Sequence, residues 1–380
     1  MSILIDRSLV AARLNISIKL VLILLCSGIS GTEAQILNDP SPLRIIKTGI
    51  SDIYNFRFAE ARKELSLVYQ QYPEHPVGYL LEGFLTYWEN YPILPSSPAR
   101  EVLEKDLRAC IGLCEKRTPA KNEEAEYLLA DLCARGLLLL FYSDNGLSLD
   151  IFPLATGTYP YIRKAFDFTS SYYDFYFFTG AFDYNREAFP EAYPVYEPLA
   201  MLFPRGDKAK GIWELRRAAD SSIFLRAESL SALSDIFISF ENNFQEATRY
   251  SKTLYELYPG NYEYKDEYIK NLLLVKMYDE AEKLILSDKP ETDNPFFRIQ
   301  INILTAILKE KKYRDYEQAE ALYSSGARDM TNFGIYGAEY GAYANFGLSR
   351  ICSAKHDQRD MKNYRKKANS LAVSKNVNFD

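Results

Sequence analysis

The sequence is poor in the residues from which metal centres and charge relays are built. Its 380 residues include two histidines, five cysteines and two tryptophans. The histidines stand in polar loops, His75 in PEHP and His356 in AKHDQRD, and both read as solvent-facing. There is no HExxH, no GxxxxGK[ST] loop, no strand-linked GxGxxG and no GxSxG nucleophile turn. Zinc peptidase, phosphate-loop, dinucleotide and serine hydrolase chemistry therefore lack their motifs. Carboxylates are plentiful, as in KNEEAE, but a charge run on a helix is ordinarily a solvated face. We expect no enzyme, no cofactor and no metal.

Positive charge is also lacking. The net charge of -6 argues against a nucleic-acid surface, which is usually basic. Arg and Lys cluster in NYRKKANSLAVSK near the end of the sequence, which reads as a solvated helix with a frayed end. Beyond the leader, no apolar run is long enough to cross a bilayer; GLLLLF is short and follows Arg135 directly. Residues 1–34 read as a secretory signal: Arg7, Arg13 and Lys19, then the apolar LVLILLCSGIS, then Thr32-Glu33-Ala34 before a cut. A periplasmic or secreted protein follows, with an uncleaved signal anchor or lipid at Cys26 as alternatives. Cys110, Cys114, Cys133 and Cys352 are too few for a disulfide scaffold. They read as small packed residues, with a bridge from Cys133 to Cys110 or Cys114 left open.

What the sequence does have is a repeat. Between Leu225 and Leu286 two helical hairpins follow each other, and Ala247 and Ala281 hold the same place 34 residues apart. Leu230, Leu233, Phe237 and Phe240 give the first helix an apolar face. Asn242-Asn243 permits a turn, Ala247 allows close helix approach, and Pro259-Gly260 stops the second helix. Ala61, twelve residues before Pro73, fits the same frame, with Gly49 in the preceding helix. Further units centre on Gly211, Ala319 and Met361, at spacings that drift between 34 and 42. Helices are also expected at 77–89, 99–116 and 122–142, the last two too long for the repeat.

These residues resemble the tetratricopeptide family, strongly at about 42–76 and 225–290 and less so at 206–224 and 295–372. The resemblance implies an all-α fold, a right-handed superhelix of helical hairpins whose concave face takes protein segments. FYFFTGAFDYNREAFPEAYPVYEPLAMLFPRGDKAKGIWELRRAAD with FLRAESLSALSDIFISFEN is similar to repeat proteins exported by Bacteroidetes-type bacteria. It is faintly similar to eukaryotic tetratricopeptide-like proteins of inclusion clearance. Neither likeness brings a catalytic motif or a defined ligand.

The chain divides into the signal at 1–34, a helical block at 35–145, a segment at 146–205 and a repeat block at 206–380. The third piece is dense in Tyr and Phe, then carries Pro190, Pro194, Pro198 and Pro204, which rule out one continuous helix from Phe189 to Pro204. Helices are expected near 159–181 and 185–189, then irregular chain with a short helix near 198–203. Two roles are open to it: a core between repeat blocks, or a surface of aromatic anchors. The groove candidates are Tyr173, Tyr176, Tyr184, Arg186, Tyr193 and Tyr196, with Arg216 and Arg217 as further carboxylate contacts. The expected function is a non-catalytic scaffold or adaptor that binds a protein or peptide in the cell envelope. A carbohydrate- or small-ligand-binding protein using the tyrosine-rich segment is the alternative. Ala247→Trp should destabilise the fold by at least the ~1–3 kcal/mol typical of overpacking, read as a lower melting temperature. A variant as stable as the parent would remove the repeat assignment there.

Overall fold

A computed structural model describes residues 36–37, 39–117, 119–194, 197–287, 293–374 and 376–380. The leader at 1–34, Cys26 and Tyr196 lie outside them. The described chain is helical, with no strand among the described residues. Sixteen helices of ten residues or more follow in order. They are α1 (Pro40–Tyr54), α2 (Phe58–Gln71), α3 (Pro76–Glu89), α4 (Pro98–Lys116), α5 (Glu124–Asp144), α6 (Ser148–Ala165), α7 (Phe175–Ala192) and α8 (Lys208–Ser221). Then come α9 (Arg226–Ser239), α10 (Phe244–Leu257), α11 (Tyr262–Leu274), α12 (Tyr278–Ser287), α13 (Pro295–Leu308), α14 (Tyr316–Asp329), α15 (Ala338–Ala354) and α16 (Gln358–Leu371). Consecutive helices pack as pairs, α1 with α2 through α15 with α16.

The starts of these helices are written in the sequence. Asp39, Ser97, Asp207, Asn243, Asn261, Asn294, Asp315 and Asp357 each accept a hydrogen bond from a backbone N–H of the first turn. Pro40, Pro76, Pro98 and Pro295 fill first positions, where the missing N–H costs nothing.

The turns inside the pairs repeat one backbone device. Phe56, Gly146, Asn242, Lys276, Arg314 and His356 all have φ between 53° and 64°, and each stands two residues before the second helix of its pair. One left-handed residue reverses the chain, so the side chain there matters less than the register. Three residues into the second helix stand Ala61, Ala247, Ala281 and Ala319, each fully buried, and Gly211 in the equivalent place of α8. At Gly211 a Cβ would lie 2.6 Å from the Tyr184 nitrogen and 2.8 Å from the Gly180 oxygen. The α7 and α8 backbones meet there too closely for a side chain.

The two helices of a pair do different work. Second helices bury a stripe: Ala247, Tyr250, Ser251 and Leu254 in α10, Ala281 alone in α12, Ala368 alone in α16. First helices are enclosed on most sides, as α11 over Tyr264–Asp266 and Tyr268–Leu273, and α15 over Tyr340–Ser349. First helices of neighbouring pairs also touch, α1 with α3, α3 with α5, α11 with α13 and α13 with α15. They form an inner row in two runs of touching first helices, α1–α3–α5 and α11–α13–α15.

An aromatic seam joins the first run to the second. Tyr54, at the end of α1, packs on Phe84 and Trp88 of α3 and on Tyr258 and Tyr264, at centroid distances of 4.7–6.0 Å. Phe56 meets Tyr262 and Phe297, and Tyr91 stacks on Phe297 at 6.0 Å with 15° between planes. The seam is also hydrogen-bonded: Asn294 Nδ2 donates to the Tyr91 carbonyl at 2.7 Å, and the Gly260 N–H donates to Asn55 Oδ1 at 3.2 Å.

The segment at 146–205 is more regular than its composition suggests. It forms α6 and α7, which pair with α5 and α8, and the break falls at 166–174, inside the helix expected over 159–181. Pro153 and Pro160 lie within α6, and Pro190 in the last turns of α7. The expected interruption between Phe189 and Pro204 is present: α7 ends at Ala192 and only a single turn, Glu197–Ala200, follows before α8. Asp174, almost fully buried, explains the geometry here. Its carboxylate accepts from the N–H groups of Ile223, Phe224 and Leu225 at 2.7–3.0 Å, tying the start of α7 to the start of α9.

Candidate functional site

Burying a charge is costly unless it is paired or reached by water. The inner row nevertheless carries charges, most densely in α11. Lys265, Asp266 and Lys270 are buried there, with Glu263 and Glu267 half-buried on the same helix. Asp235 of α9 and Glu339 of α15 face the same region, since each acts electrostatically on Lys270, and Asp144 at the end of α5 senses Asp235. Lys270 Nζ lies 3.8 Å from Glu339 Oε1. Tyr340 donates to Asp266 and Tyr343 to Glu339, while Gln300 Nε2 donates to Glu263 Oε2 at 3.3 Å.

The titration of these groups follows from the enclosure. Burial pushes Asp144, Asp235 and Glu263 up to about 7. Neighbouring carboxylates add to the rise, Asp235 acting on Asp144 and Glu267 on Asp235, while Lys270 opposes it on Asp235 and Glu263. Asp266 is raised well above the usual range, first by burial and then by Glu263. Burial pulls Lys270 the other way, but Glu339, Glu267, Asp235 and Glu263 outweigh it and hold the ammonium charged. Asp235 keeps an exposed surface, while Asp266 and Lys270 beyond it are buried. Both facts fit a cleft that water enters and protein walls in.

Five carboxyl groups around the Lys270 ammonium make this cleft an attractor of cations and, near neutral pH, a source of protonated carboxyl donors. It contains no histidine or cysteine that could act as a nucleophile–base pair. No group of three or more His, Cys, Asp or Glu among the described residues is arranged to hold a metal.

The residues expected in a groove are placed elsewhere. Tyr184 is fully buried, its ring in the main core and its hydroxyl donating to Glu241 at 2.6 Å, so it is a packing residue and cannot touch a partner. Arg186 spends its guanidinium on the Phe203 carbonyl at 3.2–3.3 Å and on Glu187, fastening the loop before α8. Tyr193 donates to the Val373 carbonyl at 3.3 Å. Arg216 donates to the Tyr250 hydroxyl at 2.9 Å and pairs with Glu246. Tyr173 and Tyr176 do come together, with a residue that was not singled out: Tyr176 meets Trp213 edge-on at 5.6 Å, and Arg217 lies over both Tyr173 and Trp213. Tyr173 and Trp213 are 40% and 50% exposed, so this is an outer patch, apart from the inner cleft.

His75 corrects its reading as a solvent-facing loop residue. It is buried; Nδ1 accepts from the Val77 N–H at 3.1 Å, and Nε2 lies 2.7 Å from Glu126, whose other oxygen accepts from the Leu37 N–H. The imidazole caps α3 and ties it to α5. His356 is exposed in its turn. The four described cysteines are free thiols, Cys110 donating toward the Ala130 carbonyl at 3.7 Å.

The cleft residues were missed because charges in YEYKDEYIKN look like an outer face. The available signal was register: the hairpin frame makes that stretch a first helix, which is enclosed. The chain matches no known family model and no curated protein sequence.

The raised carboxyls set a pH dependence. Their unfolded values lie near 4, so between about 4 and 7 the folded state holds protons that the unfolded state has released. Stability from these groups is fully present below about 4 and is lost as pH rises through about 7. Glu246, Asp279 and Glu282, held low by cationic partners, titrate below this window. The urea midpoint should therefore be higher at pH 5.5 than at pH 8, and Asp235→Asn with Glu263→Gln should flatten the difference. A midpoint that rises with pH would contradict the enclosed cleft.

Proposed function

We propose that this chain is an exported, tetratricopeptide-like scaffold whose inner face binds a segment of another protein in the cell envelope, without catalysis. The fold reading is supported by the left-handed turn residue that recurs two places before second helices, and by the buried small residue three places into them. Hairpins stacked in one register make a superhelix whose first helices face inward. Export rests on the leader at residues 1–34.

One observation carries the binding role: an inner row that bears solvent-reached charge where packing alone calls for apolar side chains. Asp235, Glu263, Glu267 and Glu339 around Lys270 give the cleft a net negative charge, which favours a segment with Lys or Arg. A second reading rests on the outer patch of Tyr173, Tyr176, Trp213 and Arg217. Exposed rings beside a guanidinium suit the apolar face and hydroxyls of a sugar.

Affinity capture from a detergent-solubilised envelope fraction tests the first reading, with Asp235→Asn/Glu267→Gln as the comparison. A protein enriched on the parent should fall about tenfold on the neutralised variant, the equivalent of ~1.4 kcal/mol. Its retention should also fall with salt. Equal retention on both, or no enriched protein, would overturn the cleft as a partner site. A glycan-induced thermal shift lost in Trp213→Ala would favour the second reading.

A further inference from the structure

The inner row has an occupant of its own. After α16 the described residues 373–374 and 376–380 do not fray, as the composition suggested, but lie from the end of α9 to α15. Tyr193 donates to the Val373 carbonyl, Ser239 and Ser374 share a hydrogen bond of 2.7 Å, and Asn376 Nδ2 donates to Asn242. Val377 is fully buried and Phe379 nearly so, its ring edge-on to Tyr343 at 5.1 Å. Arg350 donates to the Asn378 carbonyl and stands 3.7 Å from Asp380, while Arg365 donates to Asp380 at 3.3 Å.

Three features separate this segment from an ordinary terminal coil. It borders the charged cleft on both sides: Ser239 lies one turn beyond Asp235 on α9, and the Tyr343 that meets Phe379 donates to Glu339. Phe379 sits at φ 55°, a conformation that a bulky side chain does not favour, so its contacts hold it there and local preference does not. One of its receptor groups is held by contacts that do not involve the segment. Arg350 is fixed by Glu310 at 2.6 and 2.8 Å, and Glu310 also accepts from Tyr323 at 2.7 Å. An apolar slot ending in two guanidinium groups suits an extended peptide with an acidic end.

We propose that the surface beneath residues 376–380 is a recognition site for an extended protein segment of the pattern aliphatic–polar–aromatic–acidic. Val377-Asn378-Phe379-Asp380 is its resident intramolecular ligand, closing one mouth of the cleft until a partner segment displaces it. This rests on the scaffold reading and adds to it a second site, beside the acidic cleft, with a different ligand chemistry. It also makes access regulated, because a competitor binds only the fraction of molecules whose own segment has left.

A labelled peptide, Ser-Lys-Asn-Val-Asn-Phe-Asp, tests this by fluorescence anisotropy on the full chain. Val377→Ala/Phe379→Ala, which loosens the resident segment, should bind the peptide at least about tenfold more tightly than the parent. Adding Arg365→Glu should cancel most of that gain. If the double variant does not melt cooperatively, Asp380→Lys decides, since it removes the exposed ionic anchor and leaves the buried side chains in place. It should tighten peptide binding about threefold or more. A folded, loosened variant that binds the peptide no better than the parent would make the segment a fixed part of the core and overturn the proposal. The probe is a defined peptide, so that result would leave the envelope capture free to succeed or fail separately.

Discussion

The aromatic seam around Tyr54 is the contact on which the rest of the structure depends. Pairs of helices stacked by local contacts alone could take a range of curvatures, because each pair senses only its neighbours. Tyr54, Phe56, Trp88 and Tyr91 end that freedom by packing on Tyr258, Tyr262, Tyr264 and Phe297, which belong to pairs far along the chain. Closure brings α5, α9, α11 and α15 around one interior, and only then does a charged cleft exist. The hydroxyl of Tyr54, donated to Glu228, places a carboxyl that burial raises to about 7 within the seam itself.

This explains why the chain uses 30 tyrosines beside 22 phenylalanines. The rings fill space between first helices, and the hydroxyls serve carboxylates that would otherwise be poorly satisfied. Tyr54 donates to Glu228, Tyr184 to Glu241, Tyr268 to Glu280, Tyr323 to Glu310, Tyr340 to Asp266 and Tyr343 to Glu339. A phenylalanine would pack as well but leave its carboxylate without that donor, at a cost of about 1–3 kcal/mol for a buried group. Aromatic abundance here is first a solution to an interior that must be both apolar and charged.

Much of the fold was legible because it is local. Helix starts at Asp39, Ser97, Asn243 and Asn261 follow from capping chemistry, and the expected helices at 77–89 and 99–116 lie within a residue or two of α3 and α4. The 34-residue frame from Ala247 to Ala281 corresponds to equivalent buried positions in α10 and α12. What the sequence hid was non-local or permissive. Pro153 and Pro160 sit inside α6, so proline content misplaced the break in 146–205. Tyr184 and His75 look like surface residues until a partner from another pair, Glu241 or Glu126, is brought beside them. Charges on α11 look solvent-facing by composition, although the hairpin register makes it an enclosed first helix; only closure shows which carboxyls of other pairs meet them.

A double-mutant cycle across the seam tests this account most directly. Tyr54→Leu and Tyr258→Leu would be measured singly and together by urea denaturation, with ring centroids at 4.7 Å in the parent. Closure predicts a coupling of about 0.5–1.5 kcal/mol, as for other packed aromatic pairs. Additive effects in proteins that keep their helical content would mean that the two ends of the row do not meet, and with them the enclosed cleft would be lost.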